Sequence, residues 1–465
     1  MLIHGAHGRP AFSEMDAALL ERPGDPERGR LVFAAGDNDA IYRMTFAAVP
    51  AATLLWTQRS KQGTLAKGLM IGTGIGRTLR PKNANAREDD MPKLRTAATI
   101  AIAGLLLGTG HARAAGPETV AGPSKEPACF VPWAEQTKFF RYPAKKGPYR
   151  IALANGFIGN TWRIQMIKTA KAYAEQPTVK ADLKEFKVVS TGEDIAAQIA
   201  AVNNFIDSGY DAVVIDAQNP TAFKSVVKRA NAAGVVLVAF DNTLDGDEAI
   251  NVNVDQKGLG EYWGRWLVKN VPNGGSILEV RGVAGTSVDT DRHNGIQEVL
   301  KASGKPFQTV EVVGKWDDGT AQKVAADAIA VHKHFDGMTA QGGSTGMVRA
   351  FMDAHQPFVP AGAETENGFR KLCAAHAGDG LKCASGGTGP AQVAVAVKTA
   401  IAALKGEIVP QSVKLPLAHV EDPGFKDGEN FFAQQTDNFF VGNSFPTCGI
   451  NFTAQEIMGQ SEANQ

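Results

Sequence analysis

The chain has 465 residues, of which 44% are hydrophobic and 21% charged, and this ordinary globular composition excludes a wholly disordered protein. Its 48 Lys and Arg balance its 48 Asp and Glu, which argues against nucleic acid or an anionic membrane as the main partner. No apolar run approaches the roughly 18 residues of a membrane span, and the length suits about three domains.

The first ninety residues carry no clear hydrophobic period, and their polar stretches 21–30 and 80–90 contain helix and strand breakers. The segment 72–76 (GTGIG) lacks the third glycine and the βαβ unit of a dinucleotide site, so we interpret it as a chance match. We expect residues 1–90 to be an upstream extension that is absent from the mature protein.

Residues 91–115 have the three parts of a secretory signal peptide. Met91 is followed by two basic residues, by the apolar segment 97–107 and by an Ala-Arg-Ala sequence that ends at Ala114. A short buried helix is the alternative interpretation. We predict that translation starts at Met91 and that the chain is exported.

Cysteine usage agrees with export, because all four cysteines follow the predicted cleavage site. Four cysteines allow three pairings. We favour Cys373–Cys383, which closes a short loop, and Cys129–Cys448, which would join the two ends of the mature chain. No Cys-x-x-Cys or histidine spacing indicates zinc, and no metal or other cofactor is expected.

From residue 149 onward, short apolar segments alternate with helical patterns in two series. The first series has predicted strands at 149–154, 212–215 and 235–240, with helices from about 161, over 193–209 and from 219. The second has predicted strands at 276–280, 309–313, 337–340 and 358–362, with helices at 290–303, 320–334, 347–355 and 390–405. Strands that are apolar throughout are typical of parallel sheets, so we predict an α/β fold of two doubly wound lobes.

Ligands of such sheets bind beyond the carboxyl ends of the strands, where amide, carboxylate, arginine and aromatic side chains gather in this sequence. These residues are Asn155, Phe157, Trp162, Arg163, Asn219, Asp241, Asn242, Arg292, Trp316, Gln341 and Glu364. Planar polar groups pair with vicinal hydroxyls and rings stack on C–H faces, so the mixture suits a small polyol.

Arg163 and Arg292 fall in the first turn of predicted helices, where a cation opposes the helix dipole. We interpret both as kept for a ligand, the alternative being a surface ion pair with Asp289 or Asp291. Asn219 is also a good helix N-cap, and Asp241-Asn242 also suits a plain turn. Trp263 and Trp266 are predicted to lie in one helix and to pack in the protein interior.

Four stretches, 151–163, 215–220 (IDAQNP), 238–242 (VAFDN) and 285–295 (GTSVDTDRHNG), resemble the type I periplasmic sugar-binding proteins of ABC transporters, the ribose-binding-like group. The resemblance covers about residues 148–405. It implies two lobes joined by a hinge, a sugar or polyol held in the cleft, delivery to a membrane permease, and a periplasmic protein without enzymatic activity. Nothing indicates an obligate oligomer, so a monomer is expected.

Carried over by this resemblance, Arg292 falls on the sugar-binding arginine, Trp316 on an aromatic that packs the sugar ring, and Glu364 on a position usually held by aspartate. The first-lobe ligand positions fall on Asn155, Phe157, Trp162, Asn219, Asp241 and Asn242. Two departures from the family pattern leave the identity of the sugar undetermined. Gly342 and Gly343 stand where the family often has asparagine or aspartate, and Asn242 stands where many members have arginine.

The expected organisation is a leader over 116–147, a first lobe over 148–252 with part of about 389–435, a second lobe over 253–388 and a tail over 436–465. A signalling role toward a chemoreceptor or sensor kinase is an alternative function for the same fold. LacI-type repressors share the fold too, but residues 1–90 show no pair of DNA-binding helices.

An enzyme is the remaining alternative, because residues 342–346 (GGSTG) match the G-x-S-x-G elbow of serine hydrolases between a predicted strand and helix. Ser344 would then act with Asp353 or Glu364 and with His376 or His419. No HGGG-type oxyanion loop precedes it, so we favour the binding protein.

Overall fold

The computed structural model describes residues 116–387 and 389–464 in full and, nearer the N-terminus, the backbone of five strands. The chain divides into two compact units, Met1–Leu105 and Leu106–Gln465. Within the described residues, every helix is too short or too polar to cross a membrane.

The first unit contains an antiparallel sheet whose strands follow chain order. The strands are β1 (Ala17–Leu19), β2 (Arg30–Ala34), β3 (Ile41–Thr45), β4 (Thr53–Arg59) and β5 (Leu65–Ile71). The sequence did not predict them, because no regular alternation of apolar and polar residues marks them. The segment 72–76 and the predicted signal peptide lie outside the described residues, so export and the status of residues 1–90 stay predictions.

The second unit begins with two short strands and continues into the first lobe. The two strands are β6 (Glu118–Val120) and β7 (Phe139–Arg141). The lobe contains β8 (Tyr149–Asn155), α1 (Thr161–Glu175), α2 (Pro177–Lys180), β9 (Leu183–Ser190), α3 (Ile195–Asp207), β10 (Ala212–Asp216), α4 (Lys224–Ala233), β11 (Val236–Phe240) and β12 (Ile250–Asn253). Strands β10, β11 and β12 are buried along their whole length, as expected for a sheet covered on both faces.

The second lobe repeats the alternation. Its elements are α5 (Gln256–Asn270), β13 (Gly275–Arg281), α6 (Ser287–Ala302), β14 (Phe307–Val313), α7 (Asp318–His332), β15 (Gly337–Ala340), α8 (Ser344–Asp353), β16 (Ala361–Ala363), α9 (Asn367–His376) and β17 (Cys383–Gly387). Trp263 and Trp266 lie in α5 with 0% and 6% exposure, which confirms that they pack inside the protein.

The C-terminal part returns to both lobes. It contains α10 (Gln392–Leu404), β18 (Val409–Pro410), β19 (Ser412–Lys414), β20 (Ala418–Glu421), β21 (Ser444–Phe445), β22 (Ile450–Asn451) and α11 (Ala454–Met458). Strand β18 joins β7 and β6 in a small antiparallel sheet, and β21 pairs with β22.

Two six-stranded sheets confirm the predicted α/β fold with two lobes. The first has the order β19-β12-β11-β10-β8-β9 and is wholly parallel. The second has the order β14-β13-β15-β16-β17-β20 and is parallel except for β20. The chain passes between the sheets after β12, after β17 and between β19 and β20, and these three passages form the hinge.

Three predicted helix starts are wrong. Helix α4 begins at Lys224 rather than at Asn219, because the Asn219 side chain accepts hydrogen bonds from the amides of Thr221 and Ala222 and so closes a separate turn. Helix α6 begins at Ser287, three residues early, because Thr286 is its N-cap. Helix α8 begins at Ser344, also three residues early, directly after the left-handed Gly343. Sequence reasoning also missed the strands β9, β12 and β17.

The structure contains the two favoured disulfides. Cys129 and Cys448 are bonded across 319 residues, and Cys373 and Cys383 across 10. The first joins the residues before the first lobe to the C-terminal part. The second joins α9 to the start of β17, within the core of the second lobe.

Candidate functional site

A cavity lies between the two lobes of the second unit. Small-molecule sites are concave and combine apolar and aromatic side chains with a few placed polar groups, which is the kind of lining found here. The residues that line it come from both lobes and from the C-terminal part. They are Asn160, Trp162, Arg163, Asp241, Val288, Arg292, Trp316, Gln341, Gly342, Glu364 and Phe440.

On the first-lobe side, Arg163 is held in place by the ends of two neighbouring strands. Strands β8 and β10 pair in register so that Asn155 lies opposite Asp216 at their carboxyl ends. The Arg163 Nη1 atom lies 2.6 Å from Asp216 Oδ2 and donates to Asn155 Oδ1 at 2.8 Å. Burial raises the pKa of Asp216, and the Arg163 guanidinium opposes that rise.

Asp241 follows β11 and has a left-handed backbone, with φ of 56°. This conformation is uncommon outside glycine and asparagine, and it is often found at functional sites. Gln392 donates to Asp241 Oδ1 at 2.9 Å, and Asn253 holds its carbonyl at 2.8 Å. Burial raises the pKa of Asp241, against the opposing charges of Arg163 and Arg292.

Arg292 joins three groups of the second lobe. Its Nε donates to Gln256 Oε1 at 2.8 Å, its Nη1 donates to the Gln341 carbonyl at 2.7 Å, and Nη1 lies 2.7 Å from Glu364 Oε2. Both side chains of the Arg292–Glu364 pair are at least nine-tenths buried. Burial raises the pKa of Glu364, and Arg292 opposes that rise. A close approach of α5, where a Cβ at Gly260 would meet the Arg292 carbonyl at 2.0 Å, fixes this part of α6.

Trp316 also has a left-handed backbone, with φ of 57°. Its indole lies against glycine on two sides, because a Cβ at Gly282 would come within 2.2 Å of Nε1 and one at Gly342 within 2.9 Å of Cδ1. The family departure at Gly342 therefore makes room for this ring. The Trp316 indole Nε1 is buried and has no hydrogen-bond partner among the described residues.

Gln341 precedes this glycine and carries the second unpartnered group. Its Nε2 donates to the Asp289 carbonyl at 3.0 Å, whereas its buried Oε1 has no hydrogen-bond partner in the part of the chain that the structure describes. Trp316, which carries the buried donor, and Gln341, which carries the buried acceptor, both belong to the lining of one cavity. Buried polar groups in folded proteins are nearly always paired, so this combination is typical of a ligand site.

A buried carboxyl pair fixes the loops that carry these two residues. Glu366 accepts from the amides of Gly343 and Thr345 at 2.6 and 2.9 Å, and Asp318 accepts from the amide of Gly346 at 3.1 Å. The Asp318 and Glu366 carboxyls lie close enough to affect each other's ionisation. Burial raises the pKa of both carboxyls, and for Glu366 the charge of Asp318 adds to the rise.

Seven of the eleven predicted residues line the cavity, and the other four do not. Those that line it are Trp162, Arg163, Asp241, Arg292, Trp316, Gln341 and Glu364. Asn155 orients Arg163, and Asn242 bonds Asp216 at 3.0 Å and the amide of Val288 at 3.2 Å. Phe157 lies against Gly159, and Asn219 caps its own turn.

Arg292 does not stand in the first turn of its helix, as the sequence predicted. It is the sixth residue of α6, so the charge of the helix dipole gives no reason to assign it to a ligand. The suggested partner Asp289 pairs instead with Arg281, at 2.6 Å. Arg163 does stand in the first turn of α1, beside the N-cap Asn160.

Sequence reasoning missed four lining residues: Asn160, Val288, Gly342 and Phe440. An asparagine directly before a predicted helix is the signal that marks Asn160. Val288 is an apolar helix residue, which does not by itself indicate a ligand site. Gly342 was noted only because the family often has asparagine or aspartate in that loop. Phe440 had no signal, because it lies beyond the stretch of resemblance.

The hydrolase alternative has no geometry to support it. Ser344 is fully buried, and its hydroxyl has no hydrogen-bond partner among the described residues. His376 bonds Asp379 at 2.8 Å, and the ring of His419 lies 5.0 Å from that of Tyr262. Neither histidine takes the position of a base beside Ser344. In the described part of the chain, no group of three His, Cys, Asp or Glu residues is placed to hold a metal ion.

The fold and the cavity define a two-lobed α/β binding protein that holds a small molecule in an interlobe cleft. The sequence profile of a family described as "Periplasmic binding protein domain" matches residues 151–408. The chain belongs to this family and has the two-lobed type I fold of periplasmic sugar-binding proteins.

Two curated relatives are similar to it. The D-ribose/D-allose-binding protein of Pseudomonas aeruginosa is 29% identical over 202 residues, which are 41% of this chain and 61% of the relative. The galactofuranose-binding protein YtfQ of Escherichia coli is 31% identical over 146 residues, 30% of this chain and 44% of the relative. The alignments thus span about half the length of these relatives.

Solved structures show the same fold. An ABC transporter solute binding protein from Thermobispora bispora has a TM-score of 0.58 at 24% identity, covering 68% of this chain and 95% of that one. One from Mycobacterium smegmatis with bound glycerol has a TM-score of 0.54 at 24% identity, covering 62% and 100%.

Proposed function

We propose that the chain is exported to the periplasm, captures one neutral sugar or sugar alcohol between its lobes and delivers it to the permease of an ABC transporter. The observation that carries this proposal is the cavity itself. Two tryptophans, Trp162 and Trp316, line it, and two of its lining residues, Trp316 and Gln341, carry a buried polar atom without a hydrogen-bond partner among the described residues. Rings and paired hydrogen-bonding groups are what a polyhydroxylated molecule needs.

The charges favour a neutral ligand. Each of the two arginines in the cavity is already paired with a buried carboxylate, Arg163 with Asp216 and Arg292 with Glu364. Asp241 adds a third carboxyl group beside them. A sugar acid or sugar phosphate would bring its negative charge next to these carboxylates, and neither arginine is free to balance it.

Closure of the lobes is the mechanism by which the protein captures its ligand and is recognised by the permease. Beyond the cavity, the amide of Val288 donates to Asn242 Oδ1, and the amide of Thr243 donates to Ser287 Oγ at 3.0 Å. These bonds join the first lobe to α6. A ligand that contacts both lobes therefore favours the closed arrangement, which a permease recognises by its shape.

The relatives support sugars and sugar alcohols as the ligand class, but they do not identify the particular compound. Their names refer to ribose, allose and galactofuranose, and a further relative at 26% identity over 189 residues is named a xylitol-binding protein. Sugars and sugar alcohols share the vicinal hydroxyls for which the cavity is suited.

A thermal-shift screen tests the proposal. Protein purified from the periplasm of cells that express the full chain is heated with neutral pentoses, hexoses and polyols, and with the corresponding acids. A ligand at a hundred times its Kd adds about 2.7 kcal/mol of stability, which is readily seen. We expect a neutral compound to stabilise the protein more than its acid does. Failure of every neutral compound, or preference for an acid, would refute the proposal.

A matched pair of arginines provides the control. Arg281→Met removes an arginine that pairs with Asp289 and Glu311 outside the cavity, whereas Arg292→Met removes one that lines it. The thermal shift produced by the ligand should persist in Arg281→Met and be lost in Arg292→Met.

A further inference from the structure

A C-terminal segment beyond the family match forms an additional connection between the lobes. We call residues 430–443 the strap. The family profile ends at residue 408, and the chain has by then made two of its three hinge passages, with the third between β19 and β20. After β20, the strap runs along the second lobe and then contacts the first lobe a further time.

On the second-lobe side, the strap is bonded chiefly to the start of α9. The amide of Asn367 donates to the Phe439 carbonyl at 2.8 Å, and the amide of Gly368 donates to the Asp437 carbonyl at 2.9 Å. The Asp437 carboxylate also pairs with Lys371 at 3.1 Å and with Arg349. These contacts fix the strap to the second lobe.

On the first-lobe side, a single buried glutamine of α1 holds the strap. Gln165 donates from Nε2 to the Phe440 carbonyl at 3.0 Å and accepts the Phe440 amide at Oε1 at 2.9 Å. Its Nε2 also contacts Asn443 Oδ1 at 3.0 Å. Two bonds to the backbone of one residue fix the orientation of residue 440, and Gln165 stands three residues, about one helical turn, after Trp162.

Phe440 lines the cavity and is only 3% exposed. We propose that Phe440 is a ligand-contacting residue that limits the size of the bound sugar, and that Gln165 is the residue that positions it. The inference rests on the proposed function, because it assigns a size limit to the same cavity. The strap then completes the specificity of the site from outside the family domain.

The test compares two neighbouring phenylalanines in the full chain. Phe439 has the same 3% exposure and belongs to the same strap, but it packs on Phe432 and does not line the cavity. Affinities for a neutral pentose and for the corresponding hexose are measured by titration calorimetry. We expect Phe440→Ala to change the ratio of the two Kd values by about tenfold in favour of the larger sugar, since one aromatic contact is worth up to about that factor.

The positioning role has its own readout. Gln165→Met removes both bonds to residue 440 and should shift the same ratio in the same direction. The double variant Gln165→Met/Phe440→Ala should shift it no further than Phe440→Ala alone, because the two act through one contact. A purely structural glutamine would lower stability and leave the ratio unchanged. An unchanged ratio in Phe440→Ala, or an equal change in Phe439→Ala, would overturn the inference.

Quenching of tryptophan fluorescence separates this inference from the proposed function. Trp162 and Trp316 border the cavity together with Phe440, so loss of that ring should raise acrylamide quenching in ligand-free protein, and Phe439→Ala should not. If the wild type binds no sugar, the proposed function fails, and the quenching comparison still decides whether Phe440 closes the cavity. Equal quenching in the two variants would then overturn the inference.

Discussion

Replacing Arg292 by methionine should destabilise the protein and weaken ligand binding, and a second substitution should separate the two effects. The methionine keeps the volume of the side-chain stem and removes the contacts to Gln256, Gln341 and Glu364. It leaves the Glu364 carboxylate buried without a counter-charge. Breaking a buried ion pair in this way costs about 3–5 kcal/mol.

Protonation of Glu364 sets a ceiling on that cost. An ordinary glutamate has a pKa of about 4.3, so holding it protonated at pH 7 costs about 3.7 kcal/mol at 1.36 kcal/mol for each pH unit. Burial already raises the pKa of Glu364, and loss of Arg292 raises it further. Between the unfolded and the folded pKa, the folded state binds more protons than the unfolded state. The stability of the variant should therefore rise as the pH falls from 7 toward about 5.

The double variant Arg292→Met/Glu364→Gln removes the unpaired charge. We expect its free energy of unfolding, measured in urea, to return to within about 2 kcal/mol of the wild type, with no pH dependence from this site. Its affinity for the ligand should stay about 10–100-fold lower, since a hydrogen bond from a charged group contributes about 1.5–3 kcal/mol. Wild-type affinity in the double variant would refute the assignment of this pair to the ligand site. Unchanged stability in the single variant would refute the claim that Arg292 and Glu364 form a buried ion pair.

Three further predictions concern the rest of the molecule. Cys129→Ser/Cys448→Ser should lower the free energy of unfolding by roughly 6 kcal/mol, about twice the loss from removing the short-loop disulfide, because the longer loop restricts the unfolded chain more; equal losses would contradict this. Because the folded pKa values of Asp318 and Glu366 are raised above their unfolded values, stability should increase as the pH falls through the range between the folded and the unfolded pKa values, and Asp318→Asn should reduce that slope in urea titrations. An unaltered slope would refute the buried carboxyl pair. N-terminal sequencing of periplasmic protein should begin after Ala114, and a mature chain retaining residues before the predicted signal peptide would disprove its assignment.

The parallel sheets were predictable because each central strand is apolar throughout and each is followed at once by polar residues. Asp216 and Asp241 are examples, since each directly follows a buried run, and in the structure Asp216 pairs with Arg163 while Asp241 and Arg163 line the same cavity. The carboxyl ends of parallel strands share one edge of a sheet, so reading the residue after each strand finds much of the site.

The parts that failed depend on contacts between distant residues. Asn219 has the sequence of a ligand-binding or helix-capping asparagine, but its local turn satisfies it away from the cavity. Asn155 and Asn242 support the arginine and carboxylate network behind the cavity lining. Phe440 comes to the site from the C-terminal part of the chain, where Gln165 bonds its backbone across 275 positions of sequence, and no local pattern reports such a pairing.

Titration calorimetry on periplasmic protein tests the central claim most directly, with the neutral sugar or polyol found by the thermal-shift screen and with its matching acid. The account predicts one neutral molecule bound per chain, competition among neutral ligands for that one site, and much weaker binding of the acid. Binding of the acid in preference, or binding of the neutral ligand that survives in Arg292→Met/Glu364→Gln with wild-type affinity, would contradict it.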